Sequence, residues 1–165
     1  DIAKKYHDKI QIAFKPHPIL KTKLFKDKDW GEKRTEGYYK TWDNLSNGQL
    51  NESEYVDLFL TSDAMIHDSA SFLVEYLYVN KPVQFTIRDN NVVNRFNEFG
   101  KLCYDMHYKA NTKREIILFI ENVIIENQDD MENKRNSFIK NYLIPPNDNS
   151  ASENIFIELN KTLGK

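Results

Sequence analysis

From Asp57 to Arg88 the chain reads DLFLTSDAMIHDSASFLVEYLYVNKPVQFTIR: a helical segment, an apolar run, a small polar turn, a second helical segment and a second apolar run. This order constrains the fold more than any other feature. Strands that alternate with helices predict a parallel sheet covered on both faces. At the carboxyl end of such a strand, the following helix N-terminus presents unpaired backbone N–H groups and the positive end of a helix dipole, a setting suited to phosphate. His67-Asp68-Ser69-Ala70-Ser71 falls at that edge.

The rest of the chain extends the pattern. Asp1 to Asp8 reads as the tail of a helix, and Ile10 to Lys15 as a short strand that ends against Pro16-His17-Pro18. Between Lys21 and Gly37 the charged, weakly periodic sequence predicts a surface loop with one helical turn; Tyr38 to Leu45 is a short helix and Gln49 to Asn51 a brief strand. Ser53 suits an N-cap for a helix through Ser62. A buried strand over Ala64 to His67, a helix over Phe72 to Val79, a turn at Asn80-Lys81-Pro82 and a strand over Val83 to Ile87 follow. Asn94 to Lys101 is expected to be helical and Leu102 to Met106 a short strand. Helices over Lys113 to Asn127, Asp130 to Tyr142 and Ser152 to Leu163 complete the chain. No repeat of solenoid period interrupts it, and residues 1–165 read as one domain.

Composition narrows the function classes. With 165 residues, 40% apolar content and 13% aromatics, the chain can bury a real core. Its formal charge of −2, from 23 basic and 25 acidic residues that are interspersed, creates no field that would draw it to nucleic acid. Cys103 is the sole cysteine, which excludes a disulfide framework and a thiolate metal cluster and makes a reducing cytoplasm the expected compartment. No apolar run has membrane-spanning length, no export signal is visible, and a start without Met suggests an excised domain. GxGxxG, P-loop and GxSxG motifs are all missing, which argues against dinucleotide oxidoreductases, NTPases and α/β-hydrolases.

Several residues have chemistry to offer. His17 follows a strand and precedes a proline, which biases its backbone toward an extended form and fixes where the imidazole points. It reads equally as a phosphate-facing group or as a loop histidine bonded to a neighbouring carbonyl. Asp68, Ser69 and Ser71 are explained either by helix capping, worth about 1 kcal/mol, or by a phosphate at the turn. Glu75 lies one helical turn beyond Ser71, where it could meet a hydroxyl-rich sugar or remain an ordinary helix carboxylate. Arg88 follows a strand at the same edge and could hold phosphate, although a surface salt bridge is the simpler account. His7, His67 and His107 lack metal-site spacing, so no metal is expected. Trp30, Trp42 and the tyrosines read as packing residues.

Phe14-Lys15-Pro16-His17-Pro18, the segment Thr61 to Phe72, Glu75-Tyr76 and Lys81-Pro82-Val83, in this order and spacing, resemble the C-terminal half of CDP-glycerol glycerophosphotransferases, the teichoic-acid-type polymerases. Leu143-Ile144-Pro145-Pro146-Asn147 and Ser150 to Asn154 are similar to the tail of that group, so the resemblance runs from about Ile10 to Leu159. It implies one half of a two-half GT-B enzyme, a Rossmann-like three-layer α/β/α domain with a mostly parallel sheet and a helical C-terminal tail. By the same resemblance this half binds a CDP-activated polyol donor without a further cofactor. Matched residue by residue, the resemblance makes His17, Asp68 and Ser71 donor-site residues, with His17 facing the diphosphate; Lys15, Ser69, Glu75 and Arg88 join them as candidates from their own positions. The missing half would meet a polymer or lipid-linked acceptor, with peripheral association at the inner membrane face. Departures from the family pattern are Ser69-Ala70-Ser71 in place of a tyrosine and two serines, Glu75 in place of a common Asp, and Asn80 in place of a frequent Gly. Another GT-B glycosyltransferase, a nucleotide-sugar epimerase and a non-catalytic interaction domain are the competing readings.

Overall fold

The structure, a computed structural model, describes residues 2–164. The chain forms two compact units, Asp1–Ser62 and Asp63–Lys165. Asp1, which opens the expected helical tail, and Lys165 lie outside the described residues.

The first unit pairs β1 (Ile12–Phe14) with β2 (Gly48–Leu50) in parallel, Ile12 opposite Gly48 and Phe14 opposite Leu50. A short α1 (Ile2–Lys5) precedes them, and α2 (Leu20–Lys26) and α3 (Gly31–Asn44) make the crossover. Residues 21–37 are therefore not a loop with one turn. They form most of α2 and the first half of α3, helices whose exposed faces are charged and whose inward face is narrow: Thr35 and Tyr39 are the buried residues of α3, and α2 has none. Phe14 stacks on Trp42 at 5.0 Å and meets Tyr38 and Tyr39 edge-on, so the aromatics pack strand against helix. Asn47 is buried, and its amide donates to the carbonyls of Ala3 and Ile10, tying α1 to the turn before β2. Ser53 does not cap α4 (Val56–Thr61). Its N–H donates to Asn51 Oδ1 in a local turn, and the helix starts three residues later.

In the second unit β3 (Met65–His67), β4 (Val83–Thr86) and β5 (Tyr108–Ala110) form a parallel sheet in that order. β4 is the central strand, with Val83 0%, Gln84 2% and Phe85 2% exposed, so its two faces are both covered. Phe85 packs edge-on against His67 and Tyr104, the latter in α6 (Glu98–Tyr104). On the other face Gln84 donates to the Glu115 carbonyl in α7 (Lys113–Leu118). The edge strand β3 is less buried than its apolar sequence suggests, with Ile66 37% exposed.

Between β3 and β4 the expected helix is split into one α-helical turn, α5 (Phe72–Glu75), and a tighter 3₁₀ turn over Tyr76–Val79. Asn80 ends it in the left-handed region at φ 53°. Glycine and asparagine are the residues that tolerate this conformation, which accounts for the Asn at this position. The helix and strand expected over Asn94 to Met106 are displaced. A 3₁₀ turn occupies Val92–Arg95, α6 continues to Tyr104, and the strand is β5, which starts six residues later than expected. Lys113 to Asn127 is helical as far as Ile125, but its second half, Phe119–Ile125, is π-helical. α8 (Glu132–Tyr142) and α9 (Ala151–Leu163) form the helical tail, and the Ser150–Glu153 capping box starts α9. Among the described residues no helix is long and apolar enough to cross a membrane.

A buried ion pair locks α8 to the sheet. Arg135, 1% exposed, donates through Nη2 to Asp129 Oδ2 at 2.5 Å, and Tyr108 of β5 donates its hydroxyl to Asp129 Oδ1 at 2.9 Å. Burial by itself would raise the Asp129 pKa, but the Arg135 guanidinium and the Tyr108 hydroxyl overcome it and hold the carboxyl below its ordinary value. Removing Arg135 leaves the half-buried Asp129 carboxylate without its cation. Arg135→Met is expected to lower stability by about 3–5 kcal/mol in urea unfolding, and adding Asp129→Asn should recover part of the loss.

Candidate functional site

The turn after β3 is built by the end of that strand and by the side chain of His67. The Ser69 N–H donates to His67 Nδ1 at 3.2 Å, and the Ser69 carbonyl lies 3.1 Å from the same nitrogen. The His67 carbonyl accepts from Thr86 Oγ1 at 3.2 Å, which joins the base of the turn to β4. Asp68 then projects to the surface and pairs with Arg88, two residues past the end of β4. The carboxyl edge of the sheet thus brings together two residues twenty positions apart, and the salt-bridge account of Arg88 is the one realised. Its side chain is 81% exposed, so the pair is a surface ion pair of small energetic weight.

Ser71 stands exposed at the start of α5 and makes no capping hydrogen bond, so capping does not explain this serine. Ser69 is half-buried and engaged through its backbone. α5 is a single α-helical turn, which weakens the dipole argument for this edge, because few peptide units are aligned there. Glu75 is half-buried and, among the described residues, makes no ion pair.

Lys15 and His17 belong to the first unit. His17 is exposed beside the buried Pro16, and its Nδ1 accepts the Ile19 N–H at 3.2 Å. The partner is an amide, not a carbonyl as the structural reading of this loop expected. The consequence is chemical: with Nδ1 accepting, the proton of the neutral ring sits on Nε2, the outer nitrogen. Lys15 is half-buried and, among the described residues, free of any ion pair.

Beneath the turn lies a pair of imidazoles that spacing in the sequence does not reveal. His67 and His107 have ring centroids 5.2 Å apart, and the Nε2 atom of each is buried without a hydrogen-bond partner among the described residues. Burial pushes the His67 pKa down to about 4, against the opposing bond to Ser69. Burial first and the neighbouring His67 second push His107 down to about 3, although its Nδ1–H donates to the Cys103 carbonyl at 2.8 Å. Lys109, under the same burial, drops to about 8 while donating to the carbonyls of Tyr104 and His107. Among the described residues no cluster of histidine, cysteine and carboxylate side chains could hold a metal ion.

A parallel α/β sheet with serines, a carboxylate and a guanidinium at the carboxyl edge of its strands places the chain in the α/β class. The family model for CDP-glycerol:poly(glycerophosphate) glycerophosphotransferase matches residues 1–160, and the chain belongs to that family of transferases. No curated protein and no solved structure matches it.

His107, which is buried, and His67, half-buried with its Nε2 enclosed, make stability depend on pH. Their folded pKa values lie below the ordinary 6.5, so between pH 6.5 and about 4 the unfolded chain binds protons that the folded chain refuses. Stability is expected to fall steadily as pH drops through that window. His107→Asn, which keeps a donor for the Cys103 carbonyl but cannot titrate, should flatten the fall in urea melts recorded from pH 7 to pH 4.

Proposed function

We propose that the chain is the donor-binding half of a GT-B transferase. It transfers glycerol phosphate from CDP-glycerol to a hydroxyl of a polymer or lipid-linked acceptor, in the building of teichoic-acid or capsular polysaccharide. The family match over residues 1–160 carries this reading. The chemistry of the turn supports it, since Ser71 offers a hydroxyl not used in capping and Asp68 of the same turn carries the Arg88 guanidinium.

The assigned roles follow from donor and acceptor chemistry. In the first unit the Nε2–H of His17 and the ammonium of Lys15 are donors suited to phosphate oxygens. Ser69 and Ser71 donate to phosphate oxygens. Asp68 and Glu75, which can only accept when ionised, take hydroxyl protons of the donor, and Arg88 offsets the charge that Asp68 brings to an anion site. In the reaction an acceptor oxygen forms a bond to the phosphorus that carries glycerol, the bond from that phosphorus to the bridging oxygen breaks, and CMP departs. The acceptor proton passes to a base on the second half, and His17 gives a proton or a hydrogen bond to the leaving phosphate. The chain by itself binds donor and turns over nothing. The full protein works at the cytoplasmic face of the membrane as a peripheral enzyme, where such acceptors lie.

Calorimetric titration with CDP-glycerol, CDP, CMP and UDP tests the reading. CDP and CDP-glycerol should bind in preference to UDP. His17→Ala, with folding confirmed by circular dichroism, should lose about tenfold or more in affinity, as expected for one charge-assisted hydrogen bond. UDP preference would move the protein to another GT-B activity. Saturable binding that is indifferent to His17 would remove that residue from the site.

A further inference from the structure

We infer that His67 is a positioning residue for the donor turn: through Nδ1 it fixes the Ser69 backbone and so sets where Asp68, Ser69 and Ser71 stand. The inference rests on the proposed donor-binding role of that turn.

Three observations carry it. First, Nδ1 lies within hydrogen-bond distance of both polar backbone atoms of Ser69, with N at 3.2 Å and O at 3.1 Å. Either neutral tautomer therefore closes the turn: Nδ1–H donates to the carbonyl, or the bare Nδ1 accepts the amide. The link runs from residue i to i+2, as in a turn closed by Asn or Asp, but here an imidazole closes it.

Second, the ring cannot swing away. Phe85 of β4 meets it edge-on at 5.3 Å, Phe72 at 6.3 Å and His107 at 5.2 Å, while Thr86 holds its own carbonyl. A nitrogen mounted on so constrained a ring is a fixed reference point for the loop above it.

Third, the other nitrogen has no use. Nε2 is buried without a partner among the described residues, a cost that an apolar side chain of similar size would avoid. What the imidazole offers against that cost is Nδ1, and Nδ1 acts on Ser69. Burial also keeps the ring neutral down to about pH 4, so the link persists in one charge state across the neutral range.

Two substitutions separate bulk from bond. His67→Phe keeps an aromatic ring and removes the buried nitrogen, but offers Ser69 nothing. His67→Asn loses bulk and places an amide where Nδ1 stood, able to donate or accept. CDP affinity by calorimetry, thermal midpoint, and hydrogen exchange at the Ser69 amide are read on the wild-type chain and on both variants. His67→Phe should melt no lower than wild type yet lose about tenfold in CDP affinity and exchange Ser69 faster, while His67→Asn should melt lower yet bind within about threefold of wild type. A side chain that merely fills space would give the reverse order of affinities. Should His67→Phe not fold, His67→Gln takes its place, because its amide reaches the ε position and not the δ position. The inference is overturned if the variant without a δ-position partner binds CDP as wild type does, or if His67→Asn loses as much as that variant. A wild-type chain that takes no CDP overturns the donor reading itself and this inference with it, a result distinct from either.

Discussion

With Val83, Gln84 and Phe85 each at most 2% exposed, β4 has no solvent to satisfy its backbone, so a strand must pair with it on either edge. β3 and β5 meet that requirement, and the register follows: His67 lies opposite Phe85, and Thr86 opposite Ala110. The Ile87 N–H extends the pairing to the Ala110 carbonyl at 2.7 Å. Once that register is set, the chain leaves β3 at Asp68 and β4 at Arg88 along one edge. Their ion pair is a consequence of the burial of β4 and not a cause of it, since an exposed pair contributes at most about 1 kcal/mol.

The same burial explains the polar groups under the sheet. Phe85 and Phe72 meet His67 edge-on, and His107 packs against it from the turn after α6. Removed from water, both rings stay neutral, and each spends one nitrogen on a nearby backbone group: Ser69 for His67 and the Cys103 carbonyl for His107. Asp129 and Arg135 resolve the equivalent problem for charges. Arg135 is buried and Asp129 half-buried, the guanidinium Nη2 donates to the carboxylate, and Tyr108 joins them to the sheet. The two arrangements differ in what they tie down. The ion pair fastens a helix, whereas the His67 nitrogen fastens a three-residue turn.

Alternation of apolar runs with helical segments made the parallel α/β architecture legible, because β4 and the 72–79 segment carry their burial in their own residue types. What remained illegible had physical reasons. Residues 21–37 look like a loop because α2 buries nothing and α3 buries few side chains, so no apolar stripe marks them. Leu102 to Met106 is apolar for a helix end that packs on Phe85, whereas β5 has one fully buried residue, Ala110, and a lysine at its centre. At the site, Asp68 and Arg88 could each be placed at a strand end, but their pairing needs the β3–β4 register, which residue types do not encode. The Nδ1 link from His67 to Ser69 was hidden for a different reason. Histidine carries no i to i+2 signature as Asn and Asp do, and its role depends on rings contributed from β4 and from the turn after α6.

The exposed Asp68–Arg88 pair bears on how an anion could be received at this edge. A lone carboxylate beside a diphosphate would repel it. A guanidinium already seated on that carboxylate lowers the local negative charge and retains further N–H donors for phosphate oxygens. Because the pair is solvent-exposed, re-aiming Arg88 from Asp68 toward a ligand sacrifices little. Once Arg88 turns to phosphate, Asp68 is released to accept a hydroxyl proton from the polyol or ribose. On the proposed function, then, the ion pair of the free chain is a resting arrangement of two groups whose ligand-bound roles are opposite in sign. The fixed element between them is the turn held by His67.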